Sequence, residues 1–292
     1  MTVTEKAYGK INLCLDVLSR RSNGYHNVES IMHTVNLWDN VEVKRTEGSE
    51  IIITCTNPNV PTDSSNLAFK AAKRFFEKTK IQGGAIIHIE KRIPMAAGMA
   101  GGSSDGAATL RALNRLYNNP LSETELEEIG SALGADVPFC IRGGTEGVTG
   151  IGFNFLKVCK PPKFIYLIAC GEEGISTPLM YKEYDLKYSP PLNDHNSDFF
   201  QGRSEKLRLA LEKGEKEEIF SSMFNCFEEI AQGQIPKIKE IKNIMNKHNA
   251  KISMMSGSGP SVFGIFENAE NAEEARKEIS SLGADAFIVF DQ

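Results

Sequence analysis

The stretch of this sequence best equipped for chemistry runs from Pro94 to Asp105 and reads Pro-Met-Ala-Ala-Gly-Met-Ala-Gly-Gly-Ser-Ser-Asp. Gly98, Gly101 and Gly102 fall within five positions, and Ser103 and Ser104 follow at once. Glycine has no Cβ, so an anion can approach such a backbone closely. Gly106 to Leu116, rich in alanine and leucine, predicts a helix directly after it. The first N–H groups of a helix have no partner within it, and the helix dipole puts partial positive charge at that end. Loop and helix start together describe a phosphate cradle. A plainer alternative is a solvated loop in which Ser103 or Ser104 caps the helix and nothing binds. The stretch matches neither G-x-x-x-x-G-K-[ST] nor a G-x-G-x-x-G placed after a strand, so it is not one of those common nucleotide signatures.

Four other stretches set polar residues on tight backbone: Gly9-Lys10-Ile11-Asn12, Gly24-Tyr25-His26, Gly134-Ala135-Asp136-Val137-Pro138 and Ser256-Gly257-Ser258-Gly259-Pro260. Taken with the glycine loop, they resemble the GHMP superfamily of small-molecule kinases. The resemblance runs almost end to end: Lys10 to Leu13, Arg21 to His26, Ile93 to Asp105 and Leu133 to Phe139 each look like a family motif. Ser176-Thr177-Pro178 with Tyr181, Asn225 to Glu228, and Met255 to Phe263 look like later ones. Each motif is weak alone, but their order and spacing are specific. The Gly-Tyr-His segment is similar to the branch whose substrate carries cytidine diphosphate.

That resemblance implies an α+β, two-domain GHMP-kinase fold. A β-rich nucleotide-binding domain would cover residues 1–158, and a smaller α/β-sandwich (ferredoxin-like) domain residues 159–292. It implies an ATP-dependent kinase that phosphorylates the C2 hydroxyl of a CDP-linked methylerythritol, in non-mevalonate isoprenoid biosynthesis. Asp136 would be the general base for that hydroxyl, since an alcohol attacks phosphorus well only as its proton leaves. Lys10 would stand beside it, keep it ionised and neutralise charge on the transferring phosphoryl group. Tyr25 and Tyr181 would stack on the cytosine, His26 would hydrogen-bond its edge, and Asn12 and Thr177 would contact substrate. For ATP, Gly98, Gly101, Gly102, Ser103 and Ser104 would hold the phosphates, with Asn66, Lys91 and Pro94 on the adenine side. Mg²⁺ is expected with the phosphates, and the sequence names no metal ligand for it.

The chain also departs from the family pattern. Ala100 stands where glycine is usual, at a cost of about 1 kcal/mol if that position needs positive φ. Gly9 replaces an alanine, and Phe153-Asn154 replaces a Gly-Glu pair. Homoserine-type or mevalonate-type kinase activity, or a non-catalytic nucleotide-binding homologue, are the alternative readings.

The elements that must position these residues are legible in outline. Residues 2–18 and 28–56 read as β-rich, with Ile11, Leu13, Leu15 and Val17 alternating in period two. Gly9 points to a bulge or a close backbone approach there. Ala85 to Ile89 is an apolar strand before the loop. Asn66 caps a helix, Ser122 and Glu125 form a capping box, and that second helix ends at Gly134. The second half predicts a strand at 164–169, a loop at 189–198, mostly helix at 202–231, and a helix begun by Pro236. It closes with strands at 252–255 and 262–266, a helix at 272–282 and a strand at 286–290.

At 292 residues with 41% apolar and 24% charged residues, the chain has the composition of a two-domain globular protein. A net charge of −5 argues against a nucleic-acid surface. No apolar run approaches the roughly 18 residues that cross a bilayer, and no leader pattern opens the chain. Six scattered cysteines without C-x-x-C read as buried thiols of a reducing cytoplasm. The expected setting is a cytoplasmic protein, a monomer or weak homodimer, with a small-molecule substrate and neither nucleic acid nor membrane as partner.

Overall fold

The computed structural model describes residues 1–152, 154–171, 174, 176–195 and 199–290. Phe153, and residues 196–198 of the expected loop, lie outside the described residues. Two long strands open the chain, β1 (Thr2–Arg20) and β2 (His26–Thr46), followed by β3 (Ile51–Cys55), α1 (Leu67–Thr79), β4 (Gly84–Glu90) and α2 (Gly101–Leu116). Next come α3 (Glu123–Ser131), α4 (Val137–Arg142), β5 (Thr145–Thr149), β6 (Asn154–Lys157), β7 (Ile165–Cys170) and α5 (Thr177–Tyr188). The chain continues through α6 (Gly202–Lys213), α7 (Lys216–Ser222), β8 (Phe224–Asn225), α8 (Glu228–Gln234) and α9 (Pro236–Lys247). It ends with β9 (Ile252–Met255), β10 (Val262–Phe266), α10 (Ala269–Ser281) and β11 (Asp285–Phe290).

These elements form two compact units that interleave along the chain. The first takes Met1–Gly9, Leu37–Met95 and Ala100–Gly143; the second takes Lys10–Asn36, Ala96–Met99 and Gly144–Gln292. The division expected after residue 158 follows chain order alone, whereas the long strands β1 and β2 each contribute to both units.

In the first unit, residues 40–46 of β2 pair antiparallel with β4, and β3 pairs parallel with β4. The α1 helix packs on α2, and α2 and α3 pack on α4. Ala68, Ala71, Ala72 and Phe75 of α1 are buried with Ala107, Leu110 and Leu113 of α2. Gly106 lets α2 come close: a Cβ there would lie 3.5 Å from Leu67. The Asn66 side chain accepts the Ala68 N–H at 2.8 Å, so α1 starts where its cap predicts. Both halves of the Ser122–Glu125 capping box are present. The α3 helix then stops at Ser131, before the expected Gly134, and Pro138 lies in the first turn of the unforeseen α4.

In the second unit, β11-β7-β10-β9 form an antiparallel sheet. With α9 and α10 as the connecting helices, this is the ferredoxin-like order that was expected. Ile238, Ile241 and Met245 of α9, with Ala272, Ala275 and Ile279 of α10, bury against Leu167, Ala169, Val262 and Phe266 of the sheet. The helical stretch expected over 202–231 is interrupted. Gly214 at φ 72° ends α6, and Met223 leaves the helical region so that Phe224 and Asn225 can pair with Cys14 and Leu15. Cys14, Cys140 and Cys170 are buried thiols, Cys55 and Cys226 are half-buried, and Cys159 is exposed.

Candidate active site

The glycine loop turns into α2 three residues earlier than a Ser103 cap would require, and four earlier than a Ser104 cap. Ala100 is the N-cap and adopts the left-handed conformation, φ 58° and ψ 26°, so the positive φ suspected at this position is present. Neither Ser103 nor Ser104 caps the helix, because both already lie in its first turn. The Ser104 N–H donates to Ala100 O at 2.8 Å, and its hydroxyl donates to Tyr8 O at 2.6 Å. That leaves Ser103, half-buried beside the exposed Gly102, as the more available hydroxyl.

Behind this helix start lies a buried ion triad. The Lys91 Nζ donates to Asp39 Oδ2 at 2.5 Å and to Asp105 Oδ2 at 2.8 Å, with side-chain exposures of 5%, 0% and 4% for Lys91, Asp39 and Asp105. The other Asp39 oxygen accepts the Arg92 and Ile93 N–H groups, fixing the chain just before Pro94. The second oxygen of Asp105 is buried without a hydrogen-bond partner among the described residues. Burial pushes the Asp105 carboxyl up to about 7, with Lys91 opposing the shift and Asp39 reinforcing it. Burial also works against the Lys91 charge, but the two carboxylates outweigh it and hold the ammonium above its ordinary range. The Lys91 ammonium is thus engaged inside the protein. The Asn66 amide is engaged too, through its Ala68 cap and a bond from Nδ2 to Pro61 O at 2.6 Å.

Asp136 is half-buried at the N-cap of α4. A Cβ on Gly134 would lie 3.9 Å from Ser103 Oγ, so the turn leading to Asp136 borders the first turn of α2. Arg111 steadies that turn by donating to Cys140 O at 2.7 Å and Lys6 O at 2.9 Å.

In the second unit, Lys10 and Asn12 come together. The Lys10 Nζ donates to Asn12 Oδ1 at 2.7 Å and to Gly98 O at 2.9 Å. Asn12 Nδ2 donates to Ser30 Oγ at 2.8 Å, and that hydroxyl donates to Cys14 O at 2.7 Å. The Lys10 N–H, one residue after Gly9, donates to Met99 O at 3.1 Å. Gly98 is confined to glycine twice over: its φ is 71°, and a Cβ would fall 2.2 Å from Ser256 O. The Ser256 hydroxyl lies 3.2 Å from Gly98 O, and Thr177 and Ser258 share a hydroxyl contact at 2.7 Å.

A third cluster gathers around His26. Its ring stacks on Tyr181, with centroids 4.7 Å apart and planes 25° from parallel. Its Nε2 lies 2.7 Å from Asp185 Oδ1, and Arg20 Nε stands 3.7 Å from the other Asp185 oxygen. Tyr25 is 63% exposed, and among the described residues it is the ring of His26, not Tyr25, that stacks on Tyr181.

Asp39, Asp185 and Ser30 were missed by sequence reasoning, and Asp105 and Ser256, though they lie in the motifs, were given no role. Two of these pairings span long stretches of chain, 52 positions for Asp39 with Lys91 and 159 for Asp185 with His26, while Asp105 stands 14 positions from Lys91. The one available signal was a lysine closing an apolar strand, where a buried ammonium requires a carboxylate.

Comparison with known proteins bears on what this arrangement is for. The family description "GHMP kinases N terminal domain" matches residues 66–144, and "GHMP kinases C terminal" matches residues 207–285. A 4-diphosphocytidyl-2-C-methyl-D-erythritol kinase of Caldicellulosiruptor saccharolyticus is 44% identical over 233 residues, covering 80% of this chain and 77% of the relative. A kinase of the same name from Clostridium botulinum (strain Alaska E43 / Type E3) is 40% identical, over 80% of this chain and 81% of its own. A crystal structure of a 4-(cytidine 5'-diphospho)-2C-methyl-D-erythritol kinase superposes with a TM-score of 0.81 at 29% identity, covering 99% of this chain and 100% of that one. A homoserine kinase from Cytophaga hutchinsonii shares the fold, with a TM-score of 0.74 at 17% identity over 100% of this chain and 94% of its own. The chain belongs to the GHMP kinases, in the family of the 4-diphosphocytidyl-2-C-methyl-D-erythritol kinases.

Proposed function

We infer that the protein transfers the γ-phosphoryl group of ATP to the C2 hydroxyl of 4-diphosphocytidyl-2-C-methyl-D-erythritol, giving ADP and the 2-phosphate. The carrying observation is the identity of 44%, over most of both chains, with a kinase named for that substrate. The His26 cluster supports the cytidine part, because an aromatic stack with a polar ring edge suits a pyrimidine, and mevalonate and homoserine have no base to place there.

In this reading the substrate oxygen bonds to the γ-phosphorus as the bond to the β,γ-bridging oxygen breaks. ADP departs with that electron pair, and the hydroxyl proton passes to the Asp136 carboxylate. Lys10 offsets negative charge on the transferring group. The N–H groups at Gly101 and Gly102 and the Ser103 hydroxyl hold phosphate oxygens at the positive end of α2. With its ammonium engaged, Lys91 would serve the nucleotide by fixing the loop. Asn12, Thr177, Tyr25 and His26 would contact substrate. Among the described residues no three His, Cys, Asp or Glu side chains form a metal-binding group. A Mg²⁺ would enter with ATP, held chiefly by phosphate and water oxygens, and would offset phosphate charge.

The test is ADP release in a coupled assay with the cytidine substrate and with the cytidine-free polyol phosphate. Turnover that requires cytidine is expected, and equal turnover of both would overturn the substrate assignment. Asp136→Asn should fold and bind nucleotide normally while losing about 10²- to 10⁴-fold in turnover. Near-normal activity would remove Asp136 from the role of base.

A further inference from the structure

We propose that Asp185 is a positioning residue that fixes His26 as a hydrogen-bond acceptor and thereby sets selection of cytosine over uracil. The proposal rests on the cytidine reading above and adds a source for its base specificity. An ionised carboxylate can only accept hydrogen bonds. With Asp185 Oδ1 at 2.7 Å, the proton of the neutral His26 ring belongs on Nε2. Nδ1 then carries a lone pair, and it has no hydrogen-bond partner among the described residues.

The surroundings hold this arrangement in place. The ring plane is set by the stack on Tyr181, which itself meets Phe227 edge-on at 4.9 Å. Arg20 Nε stands 3.7 Å from Asp185 Oδ2, the carboxylate oxygen that does not face the ring. The His26 side chain is 7% exposed, so a mismatched group brought against it could not turn to water.

Cytosine and uracil differ in the sense of their hydrogen bonds along this edge. Cytosine presents an exocyclic amino donor where uracil presents a carbonyl oxygen. A ring nitrogen held as an acceptor pairs with the first and opposes the second, lone pair against lone pair. Leaving a buried polar group opposed or unpaired lowers affinity by about tenfold to a hundredfold.

Asparagine at position 185 would remove the bias, because its amide can turn to offer either an oxygen or an N–H to Nε2. The experiment measures kcat/KM for the cytidine substrate, its uridine counterpart and the cytidine-free polyol phosphate, in the wild type, Asp185→Asn and Asp185→Glu. We expect the cytidine-to-uridine ratio to fall about tenfold or more in Asp185→Asn, partly through a gain on uridine, and to recover in Asp185→Glu. Long-range ¹H–¹⁵N NMR of the His26 ring should show the Nε2–H tautomer in the wild type and a mixture in Asp185→Asn.

Loss of activity by the same factor on both nucleosides, or an unchanged tautomer, would overturn the proposal and leave Asp185 as mere support. A wild type indifferent to the presence of the base would refute the cytidine reading itself, and this proposal with it. A selective wild type whose selectivity survives Asp185→Asn would refute the proposal alone.

Discussion

Two clusters in this chain join a nitrogen base to aspartate, and they differ in how they meet water. In the first unit, Lys91, Asp39 and Asp105 are almost wholly buried, and Asp39 also gathers two backbone N–H groups. In the second, Asp185 stays 22% exposed and touches His26 from one side, while Arg20 at its other oxygen reaches into solvent. A buried ammonium between carboxylates can be left unpaired only at great cost, whereas a half-open pair keeps water as a substitute partner. The first cluster is therefore built to hold a backbone in place, and the second to orient a ring.

The strongest way to break this contrast is Lys91→Met. It leaves Asp39 and Asp105 buried without their cation, and the expected loss is about 3–5 kcal/mol in urea unfolding. A loss below about 1 kcal/mol would place the triad in the same class as the open pair.

Asp105→Asn sharpens the comparison within the triad, since it keeps one cation opposite one anion. In the wild type the Asp105 carboxyl binds its proton more tightly when folded, at about 7, than at its ordinary value of 3.8. The folded state therefore holds more protons in this window, and stability contributed by the protonated group is complete below about pH 4 and is lost as pH rises through about 7. Asp105→Asn should flatten that part of the stability–pH curve and cost less at neutral pH than Lys91→Met. An unaltered slope would show that Asp105 does not titrate there.

For the open pair, Asp185→Asn should lower stability by only about 1 kcal/mol, in line with one exchanged hydrogen bond. Thermal unfolding followed by circular dichroism checks this. A loss comparable to that of Lys91→Met would mean that Asp185 carries the fold and not only the His26 ring.

The same contrast explains which parts of the molecule could be read in advance. Asn66, the Ser122–Glu125 box and Pro236 act within a turn of their own positions, so residue type and spacing reveal them. The strand before the glycine loop announces itself by its apolar pattern. The pairings of Lys91 with Asp39 and of His26 with Asp185 do not, because burial selects them across 52 and 159 positions and no local rule connects them. The α4 helix escaped because its proline reads equally well as a stop or as a first turn. The two-residue β8 escaped because its existence depends on the edge that β1 presents at Cys14 and Leu15. Family motifs single out Lys10, Asn12, Asp136 and His26, which periodicity alone does not distinguish from their neighbours.

The smallest expected effect lies at the mouth of α2. Ala100 holds φ 58° immediately before the helix whose fifth residue, Asp105, is bound to Lys91. A left-handed conformation costs an alanine about 1–2 kcal/mol, which glycine does not incur. Glycine loses more backbone freedom on folding, by about 0.5–1 kcal/mol, so the two terms oppose each other. Their difference predicts that Ala100→Gly stabilises the protein by about 0.5–1 kcal/mol, visible as a higher urea midpoint at unchanged m-value. In a Lys91→Met background the gain should shrink if the buried triad is what imposes the left-handed turn, and should persist in full if the turn is set locally. A double-mutant cycle on these two positions thus measures how far the buried cluster governs the phosphate loop.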